Sequence, residues 1–368
     1  MLHYLTHEQE TQVEVWLSQL TLSEKVSLLS GADNWSTSAV PRLGIPTLLV
    51  SDGPHGVRAD RPSSSRPHAP TNAYPTGVGI AATWNRELVH KLGAALAEES
   101  REMGVDVLLG PCVSIMHSPL GGRNFETYSE DPYLAGEIGL NWVLGLQHKG
   151  VGACLKHFAG NDQERERMRL NVIVSERALR EIYLAPFEKI VRRAQPWSVM
   201  SAYVRLNGTY ASENPWLLRK VLKNEWGFEG AVFSDWYATH STAAAINAGL
   251  DLEMPGPAID NQRGILAAVK AGNLPEAALD RAVERLLALI FKAPETLAKD
   301  DYIYDKQAHH DLARRIAEEG TVQLKNENQI LPIPETAKIA LLGHFAQKPR
   351  FQGTGSSLTN PTRVDNLY

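Results

Sequence analysis

"GAVFSDWYATH", residues 230–240, begins with an apolar run, Ala231-Val232-Phe233, and breaks abruptly into Ser234, Asp235 and Trp236. A run this short, bounded by glycine and followed by helix-forming residues, reads as a buried strand feeding a helix. The pattern recurs on both sides. "IPTLLVSD" (45–52), "VDVLLGP" (105–111), "VGACLKHF" (151–158) and "WSVMSAY" (197–203) precede it as strand candidates, and "LDLEMPG" (250–256) follows it. Between them, 85–104, 132–148, 175–194, 215–226 and 239–248 read as helices, and two more fill 260–293. Ser175 is expected to cap the third of these, although Ala178 leaves a capping box incomplete. Nearly all-apolar strands alternating with helices imply the α/β class, with a parallel sheet covered by helices. About 250 residues of such alternation suit a (β/α)8 TIM-like barrel better than an open sheet. Only five or six strands are clear, so the barrel is expected to be irregular.

Nearly every strand ends in polar residues: Asp52, Lys156 with His157, Tyr203, Asp235 with Trp236, and Glu253. In a barrel these C-terminal tips open on one face, where active sites are built. A scaffold needing only stability gains little from so many partly desolvated polar groups in one place. For a single tip the plain alternative is a helix cap, and Ser234 or Asp235 could serve the helix near 239.

Composition sets the outer bounds. The chain has 368 residues, 43% hydrophobic and 21% charged, enough apolar material for a large core. A formal net charge of −5 provides no global basic field to draw nucleic acid or an anionic membrane. The N-terminus reads as an amphipathic helix and not as a signal peptide, and no apolar run is long enough to span a bilayer, so a cytoplasmic location is expected. Cys112 and Cys154 sit in apolar runs and are expected to be buried free thiols. After about residue 294 the character changes to a surface linker, then a helix, and then "AKIALLGHF" as an expected strand of a second α/β unit that the sequence leaves unfinished, so a fragment is expected.

Asp235 on a rigid strand tip has the form of a carboxylate nucleophile, with Arg58, Arg123, Lys156 and Arg167 available as neighbouring cations. Trp236 offers a flat face to the C–H side of a sugar ring. Asp52, Arg123, Lys156 and His157 are donor and acceptor types suited to reading several adjacent hydroxyls. A metal is not expected: His117, His148 and His157 show no HxH or HExxH spacing, and the cysteines form no CxxC. "GTGSS" lacks the Lys-Ser/Thr of a P-loop. Lys156 could in principle form a Schiff base, although its neighbours favour a binding role.

Five ordered motifs, "SDGPHGVR" (51–58), "SPLGGRNFETYSEDPYLAG" (118–136), "KHFAGNDQE" (156–164), "MSAYVRLNG" (200–208) and "VFSDWYATHSTAAAINAGLDLEMPG" (232–256), resemble glycoside hydrolase family 3, and within it the β-glucosidases. The resemblance implies a (β/α)8-like catalytic domain over 1–293, a linker over 294–309 and the start of an α/β sandwich over 310–368. It implies Asp235 as nucleophile, and Asp52, Arg58, Arg123, Lys156, His157, Arg167, Met200, Tyr203 and Trp236 around the sugar. Ser356 or Ser357 would reach over from the second domain. The implied mechanism is retaining hydrolysis through a covalent glycosyl-enzyme. The family's acid/base glutamate is expected beyond residue 368, and its absence would slow expulsion of a poor leaving group by roughly 10²–10⁴-fold. A branch acting on N-acetylglucosaminides uses a His-Asp pair after "KHF", and "AGNDQERERM" has no histidine. The resemblance implies no cofactor. The expected partner is a small oligosaccharide or an aryl or alkyl β-glucoside, and a homo-oligomer is compatible with the sequence. A β-xylosidase or α-arabinofuranosidase of the same family, and a non-hydrolytic sugar-binding fragment, stand as alternatives.

Overall fold

The computed structural model describes residues 5–58, 69–297 and 302–367. Its strands are β1 (Val50–Asp52), β2 (Val107–Leu109), β3 (Gly152–Phe158), β4 (Asn171–Val172), β5 (Ser198–Ser201), β6 (Arg205–Leu206), β7 (Thr209–Tyr210) and β8 (Ala231–Ser234). Five of them form one parallel sheet in the order β1-β2-β3-β5-β8. The two-residue strands β4, β6 and β7 make a small separate sheet. Every residue of the five-stranded sheet is buried, which is why each strand reads as an apolar run. Side chains alternate between two cores. Val107, Leu109, Cys154, Met200 and Phe233 join one, while Leu108, Ala153, Leu155, Val199 and Val232 join the other beneath the surrounding helices.

The open edges of this sheet meet through three short staves. Leu252 pairs with Phe233 and Glu253 with Ser30, both parallel, whereas Gly31 pairs with Thr37 and Ser36 with Leu49 in antiparallel fashion. The backbone follows the same path: Glu253 donates to Leu29 (2.9 Å), Ala32 to Ser36 (2.8 Å) and Val50 to Trp35 (2.8 Å). The ring therefore closes as an irregular barrel, and the stave at 36–37 runs against its neighbours. An all-parallel wall was the expectation. The reversal follows from chain length, because a parallel neighbour needs a crossover of a dozen or more residues, whereas 31 and 36 are joined by a short turn and the stretch between 37 and 49 folds back on itself through the antiparallel Val40–Ile45 bridge.

The helices around the wall are close to their expected places. Helices Arg86–Glu102 and Pro132–His148 pack tightly enough that a Cβ on Gly145 would lie 2.1 Å from the His90 carbonyl oxygen. The helix expected over 175–194 is interrupted: Ser175 caps it by accepting from the Ala178 N–H (3.3 Å), but Leu179–Tyr183 is a π-turn before Ala185–Ala194 resumes. Pro186 lacks an N–H and crowds the carbonyl four residues back, and the ladder widens just ahead of it, with Leu184 N–H bonding Leu179 O at 2.8 Å. Both cysteines are free and buried. Among the described residues no helix is long and apolar enough to cross a membrane.

Helix Lys306–Gly320 docks on the barrel through a buried polar cluster. The His309 ring reaches Glu99 through Nδ1 (2.9 Å) and Glu98 through Nε2 (3.3 Å), and it stacks on Tyr304 at 4.8 Å. Tyr74 and the Asn72 N–H also donate to Glu99, and Lys149 pairs with Glu98. Burial opposes charge on His309, yet the two carboxylates outweigh it and raise its pKa. A base raised above its unfolded value of about 6.5 stabilises fully below that pH and loses the contribution as pH climbs through the folded value. Burial also raises Glu99, which acts in the same direction. Amide exchange over 306–320, corrected for intrinsic rates, is therefore expected to accelerate as pH rises above that unfolded value, and His309→Gln to flatten that rise. An unchanged slope in the variant would remove His309 as its cause.

Beyond this helix the expected strand at "AKIALLGHF" is not formed. Ile339 and Leu342 are exposed, and 338–343 is irregular. A strand needs a neighbour for its backbone groups, and this one has none among the described residues.

Candidate active site

The strand tips converge on one cavity of ≈ 540 Å³, lined by all eleven residues anticipated from sequence. β1 delivers Asp52, β3 delivers Lys156 and His157, β5 delivers Met200 with Tyr203 just beyond it, and β8 delivers Asp235 and Trp236. Loops bring Arg58, Arg123, Arg167 and Ser356 to the same space. Glu253, the remaining polar tip, is turned away and accepts hydrogen bonds from Thr242 (3.0 Å) and Asn261 (2.6 Å).

Asp235 is held asymmetrically. Its Oδ1 accepts the Trp236 N–H at 2.7 Å, while Oδ2 is buried without a hydrogen-bond partner. Nε2 of His157 stands 3.6 Å from Oδ2, too far to donate well. Burial pushes the Asp235 pKa up, against Arg123, the Trp236 N–H, Lys156 and the Tyr203 hydroxyl. For His157, burial and the cations Arg123, Lys156 and Arg167 press the pKa far down, so the ring is neutral. Since Arg123 Nη2 faces its Nε2 at 3.1 Å and can only donate, Nε2 accepts and the ring proton sits on Nδ1, 3.6 Å from Cys112 Sγ. His157 therefore has no proton to give Asp235, which accounts for the bare Oδ2.

Asp52 lies between two cations, 3.4 Å from Lys156 Nζ and 3.9 Å from Arg58 Nη1. Burial raises its pKa and both cations pull it back. Burial likewise opposes charge on Lys156, but Asp52 and Glu126 prevail and its pKa rises. A lysine that keeps its proton is a poor amine nucleophile, which counts against a Schiff base. Neither Ser234 nor Asp235 caps the following helix, which begins only at Thr242. Ser234 Oγ instead accepts from the Met254 N–H (2.9 Å) and donates to the Met254 carbonyl (3.2 Å), pinning the next stave of the barrel. The helix entry is held by Glu213, which accepts from the N–H groups of His240 (2.9 Å) and Ser241 (2.7 Å).

With this arrangement in place, comparison with known proteins decides the kinship. Residues 18–289 match the model of the glycosyl hydrolase family 3 N-terminal domain. The chain belongs to glycosyl hydrolase family 3. It is 51% identical to thermostable β-glucosidase B of Acetivibrio thermocellus over 356 residues, 96% of this chain and 47% of that protein. It is 46% identical to an exo-α-(1→6)-L-arabinopyranosidase of Bifidobacterium breve, across 95% of this chain and 48% of that one. Among solved structures, β-glucosidase 3B of Thermotoga neapolitana in complex with glucose superposes with a TM-score of 0.91 at 45% identity, covering 95% of this chain and 52% of that chain. The family 3 chain thus spans about half the length of these relatives.

Nine residues of the cavity lining were missed from sequence, among them Trp35, Phe125, Glu126 and Glu164. Trp35 forms an aromatic corner with Trp236, ring centroids 5.6 Å apart at 43°, and the Arg58 guanidinium lies 5.8 Å from its centroid. It enters from the reversed stave, whose polar sequence "DNWST" gives no strand signal. Glu126 and Glu164 lie inside quoted motifs, so their proximity to Arg123 and Arg167 could have been suspected from spacing alone. Both act as ion-pair acceptors: Glu126 meets Arg123 at 2.8 Å, and Glu164 meets Arg167 at 2.6 Å. Among the described residues there is no group of three or more His, Cys, Asp or Glu able to hold a metal.

Proposed function

We propose that the chain carries the sugar pocket and nucleophile of an exo-acting, retaining β-glucosidase that removes terminal non-reducing glucosyl residues. The observation behind the reading is the bare Oδ2 of Asp235 in a cavity otherwise crowded with paired donors and acceptors. Asp235 Oδ2 has no hydrogen-bond donor in place among the described residues, although the Tyr203 hydroxyl is near enough to lower the carboxyl's pKa, so its lone pairs are available to attack an anomeric carbon, and Oδ1, fastened to the Trp236 N–H, fixes the angle of approach. Asp52, Lys156, Arg123, His157 and Arg58 would take the ring hydroxyls, while Trp236 and Met200 bound the apolar side. Asp52, Glu126 and Glu164 are all engaged with cations and none is placed as a general acid. The acid/base is proposed to come from sequence corresponding to the other half of the relatives.

A trapping experiment tests this reading. A 2-fluoro β-glucoside with a dinitrophenolate leaving group needs no general acid, so the 368-residue chain should gain one fluoroglucosyl unit by intact mass, mapping to the peptide holding Asp235. A label on any other residue would overturn the assignment. A second reading, a glycosidase acting on terminal pentosyl units such as a β-xylosidase or an arabinosidase, is favoured by the 46% identity to an arabinopyranosidase. Matched aryl glucosides, xylosides and arabinosides separate the two, because a pentopyranose lacks the hydroxymethyl group that a glucose pocket must accommodate.

A further inference from the structure

Glu126 is almost fully buried and shares its two carboxylate oxygens between different parts of the fold. Oε2 accepts from Arg123 Nη2 at 2.8 Å, whereas Oε1 accepts from the Ser357 hydroxyl at 3.1 Å and the Ser356 hydroxyl at 3.4 Å. The same Arg123 Nη2 also reaches Ser356 Oγ (3.2 Å) and His157 Nε2 (3.1 Å). Among the described residues, the arginine's side-chain hydrogen bonds thus pass through Nη2. Among the described residues Nη1 makes only a long ion pair, 3.9 Å, with Glu164. An ionised carboxylate is the strongest acceptor in this set, and a short charge-assisted bond to one end of a planar guanidinium sets the roll of the whole group. Burial works against the charge on Glu126, but Arg123 and Lys156 keep its pKa low. Arg58 adds a second tie to the same loop by donating to the Gly355 carbonyl (3.2 Å).

We propose that Glu126 is a positioning residue that turns Arg123 so that Nη1 donates into the sugar cavity, and that it fastens the 355–357 loop over that cavity with the same carboxylate. The proposal rests on the sugar-binding reading above. It adds that the pocket is assembled across the chain: a carboxylate from the 124–126 turn locks a loop more than two hundred residues away into the wall, and the arginine is set only when that loop is seated.

The test uses the 368-residue chain with Glu126→Gln and Ser357→Ala, alone and with Arg123→Ala, and reads two quantities. Glucose affinity, followed by calorimetry, should weaken by roughly tenfold in Glu126→Gln and about threefold in Ser357→Ala. In the Arg123→Ala background Glu126→Gln should cost less than about twofold, since its effect runs through the arginine. Hydrogen exchange of 352–360, measured without sugar, should accelerate in both single variants. Equal losses of affinity with and without Arg123, or no loss in Glu126→Gln, would overturn the positioning role. Unchanged exchange in both variants would overturn the loop anchor. If the parent chain binds no glucose, the sugar reading of the cavity fails, and the exchange measurement alone decides the anchor.

Discussion

Asp235→Asn is expected to reduce the rate of glycosylation by an activated aryl β-glucoside by roughly 10⁴-fold or more. The substitution is nearly isosteric, and the Asn carbonyl oxygen can keep the bond from the Trp236 N–H, so the side chain should stay in place. What is lost is the charge of the carboxylate and the lone pairs of Oδ2, the atom without a hydrogen-bond partner among the described residues. Because that oxygen contributes no bond to the resting structure, the variant should unfold at or above the parent's denaturant midpoint, and an isolated loss of rate is the diagnostic pattern. The pH profile provides a second check. Burial raises the Asp235 pKa, and in the proposed mechanism only the carboxylate attacks, so the parent's glycosylation rate should climb with pH through that raised value. A variant within tenfold of the parent would remove Asp235 as nucleophile.

Lys223→Met should lower unfolding stability by about 3–5 kcal/mol, read as a shift in the urea midpoint. Lys223 Nζ donates to both oxygens of Asp251, at 2.8 and 2.7 Å, and to the Gly249 carbonyl at 2.7 Å. Asp251 in turn accepts the Val232 N–H at 2.8 Å, tying the stave around 252 to β8. The side chains are 10% and 2% exposed, so removing the cation strands a carboxylate with little access to water. Lys223→Met combined with Asp251→Asn should recover more than half of the loss, because the amide still accepts from Val232 without carrying charge. If the double variant were no better than Lys223→Met alone, lost packing of the lysine stem and not the orphaned charge would be the cause.

The parts of the fold that announced themselves were those where burial is two-sided. β2, β3, β5 and β8 each carry a stretch of apolar residues that is buried on both sides, with polar residues gathered at their ends, and no solvated face dilutes the signal. β1 was overread: residues 45–49 are as apolar as a strand, but Ile45 and Leu49 pair antiparallel with Val40 and Ser36, and only Val50–Asp52 joins the parallel sheet. The staves at 30–31 and 36–37 were invisible, because a pair of residues held by single bridges has neither length nor periodicity. "AKIALLGHF" failed for the opposite reason, a good local pattern with no partner in reach among the described residues. In the site, the anticipated residues are those in which a charged or aromatic type stands where a strand should have ended. Trp35 escaped because it sits in a polar loop with no strand signal, whereas Glu126 stands three residues from Arg123, a spacing that hints at the ion pair but not at a place in the cavity wall.

The reversed stave at 36–37 also bears on the order of assembly. Ring closure requires Glu253 to meet Leu29 and Ser30, residues more than two hundred positions apart, and such a contact carries a large loop-closure entropy. During synthesis the segment around 29–37 can pair with 48–50 at once, yet one of its edges must wait until residue 253 has left the ribosome. For that interval the growing chain presents an unpaired strand edge, the kind of surface that recruits a chaperone or another copy of itself.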